Sequence, residues 1–249
     1  MNDLPGNQPD TQRISIDRPT AFQQYRILLG KDLRQEFRSF EMLSSMVIYA
    51  VLLLIVYGAA FATAASSVDV LQISGGLLWA LIVFTSLLGL NRSFAHEKEQ
   101  GCLEGILLVP LDRGVVFLAK ATANLLFLLV VEVIVLPLFW FFFLADVELA
   151  PSAPWMLLVL FVGTVGIAAV GTLLATITVN TSGKDVMLAV LFIPVVFPLL
   201  YACVSGTTAV IVGADGWQDT LRIALALSAG YDVIMVLVSW VLYDFVVSV

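Results

Sequence analysis

Residues 121–145 read ATANLLFLLVVEVIVLPLFWFFFLA, with Glu132 as the one ionisable side chain. At 1.5 Å per residue such a helix extends roughly 37 Å, enough to cross a hydrocarbon core of about 30 Å. Five further runs of the same character lie at 43–65, 71–90, 155–179, 186–212 and 223–247. In lipid, backbone polar groups must be satisfied within the segment, so runs of this length are helices. The expectation is an all-α integral membrane protein with six transmembrane helices.

The positive charges sort themselves around these spans. Arg13, Arg18, Arg26, Lys31, Arg34 and Arg38 precede the first; Arg92, Lys98, Arg113 and Lys120 fall between the second and third; Lys184 falls between the fourth and fifth. Arg222 alone lies on the opposite side. Positive residues are retained in the cytoplasm, which predicts a cytoplasmic N-terminus and, with an even number of spans, a cytoplasmic C-terminus. Asp69, Asp146, Glu148, Asp215 and Asp219 fall in the outer loops.

Composition agrees. The chain is 60 % hydrophobic and 12 % charged, against roughly 45–50 % and 25 % in soluble domains. Its net charge of −7 and lack of a basic cluster argue against nucleic acid as a partner. Two cysteines, Cys102 in a cytoplasmic loop and Cys203 inside span five, are separated by membrane depth, so neither a disulfide nor a metal site is expected. His96 stands in His-Glu-Lys-Glu-Gln, without the second His of a zincin motif. No phosphate-binding Gly-x4-Gly-Lys-Ser/Thr occurs, so any ATP must be bound by another chain.

Outside the spans, residues 1–20 have the composition of a disordered cytoplasmic tail. Residues 21–42 repeat Phe22, Tyr25, Leu29, Leu33, Phe37 and Phe40 at three- and four-residue intervals, with Lys31, Arg34, Gln35 and Arg38 on the other side. That pattern predicts an amphipathic helix in the membrane interface, in contact with lipid. Residues 43–249 form the six-helix domain, containing a cytoplasmic loop at 91–120. Gly101 and Pro110 punctuate this loop, Leu103, Ile106 and Leu107 share a helical face, and Asp112 is placed to cap span three. Its length and patterning favour a docking surface over an inert re-entrant loop.

Within the membrane, Glu132 is expected near the midplane, Asp232 in the outer half of span six, and Asn124 early in span three. An ionised carboxylate there costs several kcal/mol on insertion scales, and no Lys or Arg shares their depth. Glu132 is therefore read as neutral, in a polar cluster that serves either gating or an interhelical hydrogen bond. Gly163, Gly166, Gly171 and Ala175 permit close helix approach, and Pro194 and Pro198 kink span five.

The run from Trp79 to Lys120 resembles the CcmB family, the haem-exporter permease subunit of bacterial cytochrome c maturation. The resemblance rests on Leu87-Leu88-Gly89-Leu90-Asn91-Arg92-Ser93-Phe94, Glu97-Lys98-Glu99-Gln100-Gly101 and Gly105-Ile106-Leu107-Leu108-Val109-Pro110-Leu111-Asp112-Arg113. Asn124 to Phe127, Glu132, Pro137 and Gly163 to Leu174 extend it. It implies an ABC-2-type permease architecture with a cytoplasmic coupling helix at Arg92, Glu97, Glu99, Gly101, Leu103, Glu104, Leu107, Pro110, Asp112 and Arg113. It further implies a non-catalytic subunit, present in two copies, that pairs with a CcmA-like ATPase and with CcmC- and CcmD-like membrane subunits. No cofactor would be bound by this chain; haem would be the substrate and ATP the partner's. An ABC-2 exporter of a lipid, polysaccharide or drug shares this fold and loop. A proton-linked transporter using Glu132 and Asp232 is the third reading.

Overall fold

The computed structural model describes residues 20–63, 69–99, 112–145, 147, 152–178 and 183–247. Seven helices form the described chain: α1 (Ala21–Ser39), α2 (Glu41–Thr63), α3 (Val70–Glu99), α4 (Arg113–Phe143), α5 (Ala153–Thr178), α6 (Lys184–Val212) and α7 (Trp217–Val247). Six of them, α2 to α7, are long and apolar enough to cross a membrane, and no strand occurs among the described residues. The fold is the all-α membrane architecture.

Local chemistry sets the first corner. Thr20 Oγ1 accepts from the Gln23 amide at 3.4 Å while Gln23 Oε1 accepts from the Thr20 amide at 3.0 Å, a reciprocal cap that starts α1. Phe40 ends it in the left-handed region at φ 51, donating its amide to the Glu36 carbonyl at 2.7 Å. One residue thus turns α1 into α2. Across that turn Glu36 Oε1 accepts from the Leu43 amide at 2.8 Å, satisfying an orphan donor of α2.

α5 is the central span, packed against α3, α4, α6 and α7. α2 lies on α3 and α4 at one edge, α7 on α5 and α6 at the other, and α1 rests mainly along α4. The small residues of α5 explain its enclosure. A Cβ on Gly163 would stand 2.7 Å from Cys203 Sγ and overlap the Trp79 ring. α6 runs unbroken through Pro194 and Pro198. Tyr231 of α7 donates to the Val195 carbonyl at 2.7 Å, inside the turn that Pro198 loosens.

The helices outrun their apolar runs, which corrects three sequence readings. α3 continues to Glu99 and α4 begins at Arg113, so residues 91–99 and 113–120 of the expected 91–120 loop are helical. Lys120 is accordingly a buried residue of α4, 6 % exposed, and not part of a loop. α7 begins at Trp217, six residues before 223. The physical reason is length: a helix of about 30 residues spans roughly 45 Å, and its polar ends project beyond the hydrocarbon.

Candidate functional site

Polar side chains collect in two places. The first is the end of the bundle where α3 stops and α4 starts. Asp112 caps α4 as its position predicts, its Oδ1 accepting from the Gly114 amide at 3.0 Å. The Asp112 amide in turn donates to Oε1 of the buried Gln24 in α1 at 3.2 Å. On α3, Arg92 Nη1 donates to Ser45 Oγ at 2.7 Å and to the Glu41 carbonyl at 3.4 Å, and lies 3.9 Å from Glu41 Oε1. Such an exposed pair contributes about 0–1 kcal/mol, so it positions more than it stabilises. Both anchors of segment 100–111 are therefore fastened to the α1–α2 elbow, α4 through Gln24 and α3 through Ser45 and Glu41.

Arg113 is half-buried beside its cap. Glu97 and Glu99 fall in the last turn of α3. Gly101, Leu103, Glu104, Leu107 and Pro110, expected in the coupling helix, lie outside the described residues.

The second place is a polar seam at membrane depth between α4 and α5. Asn124 Nδ2 donates to Thr172 Oγ1 at 2.9 Å, and the Thr172 hydroxyl donates to the Ala168 carbonyl at 2.7 Å. Two turns away the Thr164 hydroxyl lies 2.5 Å from Glu132 Oε1 and 2.8 Å from the Leu160 carbonyl. Glu132, 6 % exposed, meets the requirement that a carboxyl here face protein.

Asp232 lies 15 residues past the start of α7, a 31-residue helix. Its side chain is pressed on Gly166, where a Cβ would overlap Asp232 Oδ1 and stand 2.6 Å from Leu199 Cδ2. That oxygen has no hydrogen-bond partner among the described residues. Thr164 and Gly166 are two residues apart on α5, about 200° around its axis. Glu132 and Asp232 thus flank the middle of α5 on opposite faces and do not form a carboxylate pair.

Trp79 of α3 completes the cross-links, its Nε1 donating to Thr207 Oγ1 of α6 at 2.9 Å. Gln24, Ser45, Thr164, Thr172 and Thr207 were not among the residues singled out from sequence for these roles. One signal was available for two of them: Asn124 and Glu132 are eight residues apart, as are Thr164 and Thr172.

Six long apolar helices, an elbow helix at one end and a buried polar seam define a polytopic, all-helical membrane protein. Comparison with known proteins then narrows the class. The CcmB protein family matches residues 23–240, from the first turn of α1 into α7, and the chain belongs to that family. The chain is 28 % identical over 205 residues to Heme exporter protein B of Rhodobacter capsulatus, covering 82 % of this chain and 89 % of that protein. It is 27 % identical over 176 residues to Heme exporter protein B of Pseudomonas aeruginosa, covering 71 % and 77 % respectively.

Proposed function

We propose that this chain is the membrane-spanning permease subunit of an ABC-type complex that exports or delivers haem for c-type cytochrome assembly. Family membership and the names of the relatives support the haem assignment. The observation that carries the mechanism is the double anchoring of segment 100–111. α3 and α4 continue from that segment straight through the membrane and are cross-linked to α6 and α5 by Trp79–Thr207 and by Glu132–Thr164 and Asn124–Thr172.

In this reading the positively charged end is cytoplasmic and the membrane is the bacterial inner membrane. A CcmA-like ATPase subunit grips Gly101–Pro110. Closure of its nucleotide-bound dimer displaces the segment; α3 and α4 rotate as levers, and the polar cross-links pass the motion to α5 and α6. Two permease copies stand over two ATPase subunits, with CcmC- and CcmD-like membrane subunits handling haem. The output is release of the haem-loaded periplasmic chaperone. This chain contributes no catalytic group; hydrolysis belongs to the partner.

Charge reversal at Glu104 or Arg113 tests it in a strain lacking the chromosomal copy. The expected result is loss of ATPase-subunit co-purification together with loss of holo-cytochrome c. Intact holo-cytochrome c in the deletion strain itself would overturn the haem assignment. Charge-reversed variants that keep both partner and product would overturn the coupling role.

A further inference from the structure

The outward side of α1 carries chemistry that its inward side does not. Inward, Gln24 is buried against Asp112, Leu28 packs with Val116, Phe117 and Tyr243, and Leu29 and Leu33 join the main core. The acids of α1 are committed as well: Asp32 lies 3.4 Å from Lys31 Nζ and Glu36 accepts from Leu43. Outward, Arg26, Gly30, Arg34 and Arg38 follow one another at four-residue steps, each a rise of about 6 Å and a turn of about 40°. They line a single open groove along the helix.

Three features of that groove define its occupant. Arg34 and Arg38 are exposed and have no acidic partner among the described residues. Gly30 leaves a notch between Arg26 and Arg34, where a Cβ would meet nothing within 4 Å. Beside the basic groups stand Phe22, Ile27 and Phe37, at 67 %, 65 % and 50 % exposure, with the Arg26 guanidinium 5.9 Å from the Phe22 ring. Basic heads next to bare aromatic and aliphatic groups match the boundary between phosphate headgroups and acyl chains. Height agrees, because one residue, Phe40, separates α1 from the membrane-crossing α2. An acidic protein surface would complement the arginines but leave the apolar residues in water.

We infer that α1 is an anionic-phospholipid site: a lipid phosphate sits in the Gly30 notch between Arg26 and Arg34, with Arg38 continuing the contact and Phe22, Ile27 and Phe37 against the upper acyl chain. Lipid composition would thereby bear on the elbow, and through Gln24 on the start of α4.

The experiment uses the full chain in nanodiscs of mixed phosphatidylglycerol and phosphatidylcholine. The ratio of the two lipids retained on release is read by native mass spectrometry. The wild type is expected to enrich phosphatidylglycerol, and each Arg→Gln change at Arg26, Arg34 or Arg38 to lower the enrichment about fivefold. Gly30→Leu, which keeps the charge and fills the notch, is expected to lower it too. Arg222→Gln, at the far end and 3.5 Å from Asp219, is expected to leave it unchanged. Equal retention of the two lipids by the wild type would overturn the site. So would undiminished enrichment in a correctly folded R26Q/R34Q/R38Q protein, including one that had lost a protein partner.

Discussion

Glu132 meets Thr164 in the same antiparallel register in which Asn124 meets Thr172: each pair is the other displaced by eight residues along both α4 and α5. Eight residues are just over two helical turns, about 12 Å of rise, so the four side chains form two rungs on one face of each helix. Between the rungs the buried Leu128 of α4 lies at the register position of the buried Ala168 of α5. A slip of α4 against α5 by one turn would break both rungs at once. The seam is a register lock between α4 and α5.

The lock predicts a coupling energy. Truncating Glu132 to Ala and changing Thr164 to Val should cost less together than the sum of the single changes, with a coupling of about 0.6–2 kcal/mol. Thermal melting of the detergent-purified variants reads it. Glu132→Gln should melt with the wild type, since the amide oxygen can still accept from Thr164. If Glu132→Gln keeps stability yet stops holo-cytochrome c formation, the carboxyl has a role beyond the lock.

The contact of Gly166 with Asp232 predicts a rescue. Gly166→Ala should destabilise by about 1–3 kcal/mol through overpacking, more than the roughly 1 kcal/mol that Ala brings in helix propensity. Asp232→Ala, which removes the overlapped oxygen, should restore most of that loss in the double variant. Equal melting of Gly166→Ala and wild type would show that α5 and α7 are not in close contact there.

Asp112 separates a cap from a charge. Asp112→Ala should lower stability by about 0.5–2 kcal/mol, and Asp112→Ser should lose much less, because a hydroxyl also caps. If Asp112→Ser keeps stability but releases the ATPase subunit, the carboxylate itself is part of the docking surface.

Topology has a native reporter in Cys102. A membrane-impermeant maleimide should label it in inverted inner-membrane vesicles and not in intact spheroplasts. Cys203 is buried and should stay unlabelled in both unless the protein is unfolded. Labelling from the outside would reverse the orientation read from the lysines and arginines.

How legible the molecule was from its residues depends on the range of the interaction concerned. The six spans and the class of fold follow from apolar run length, and the Asp112 cap from a side chain two residues from its amide. These are properties of one segment in one solvent. The ends of the spans were misplaced because hydropathy marks the hydrocarbon, while the helix continues through residues such as Arg113 and Lys120 until a cap or a break stops it.

The two rungs of the seam lay half in view, as equal spacings on two segments, but spacing cannot name which faces meet. That choice belongs to packing. Glycines at 163 and 166 let α5 sit in the centre, and once it does, Glu132 and Asp232 reach opposite sides of one helix and not each other. The elbow shows the same division. A three- and four-residue repeat is enough to make α1 amphipathic, whereas the direction of its arginines is set by Gln24, Leu28 and Leu33 finding their places in the bundle. Local pattern selects helices and their solvent because a single segment feels lipid or water directly; which polar groups become partners is decided by contacts between segments far apart in the chain.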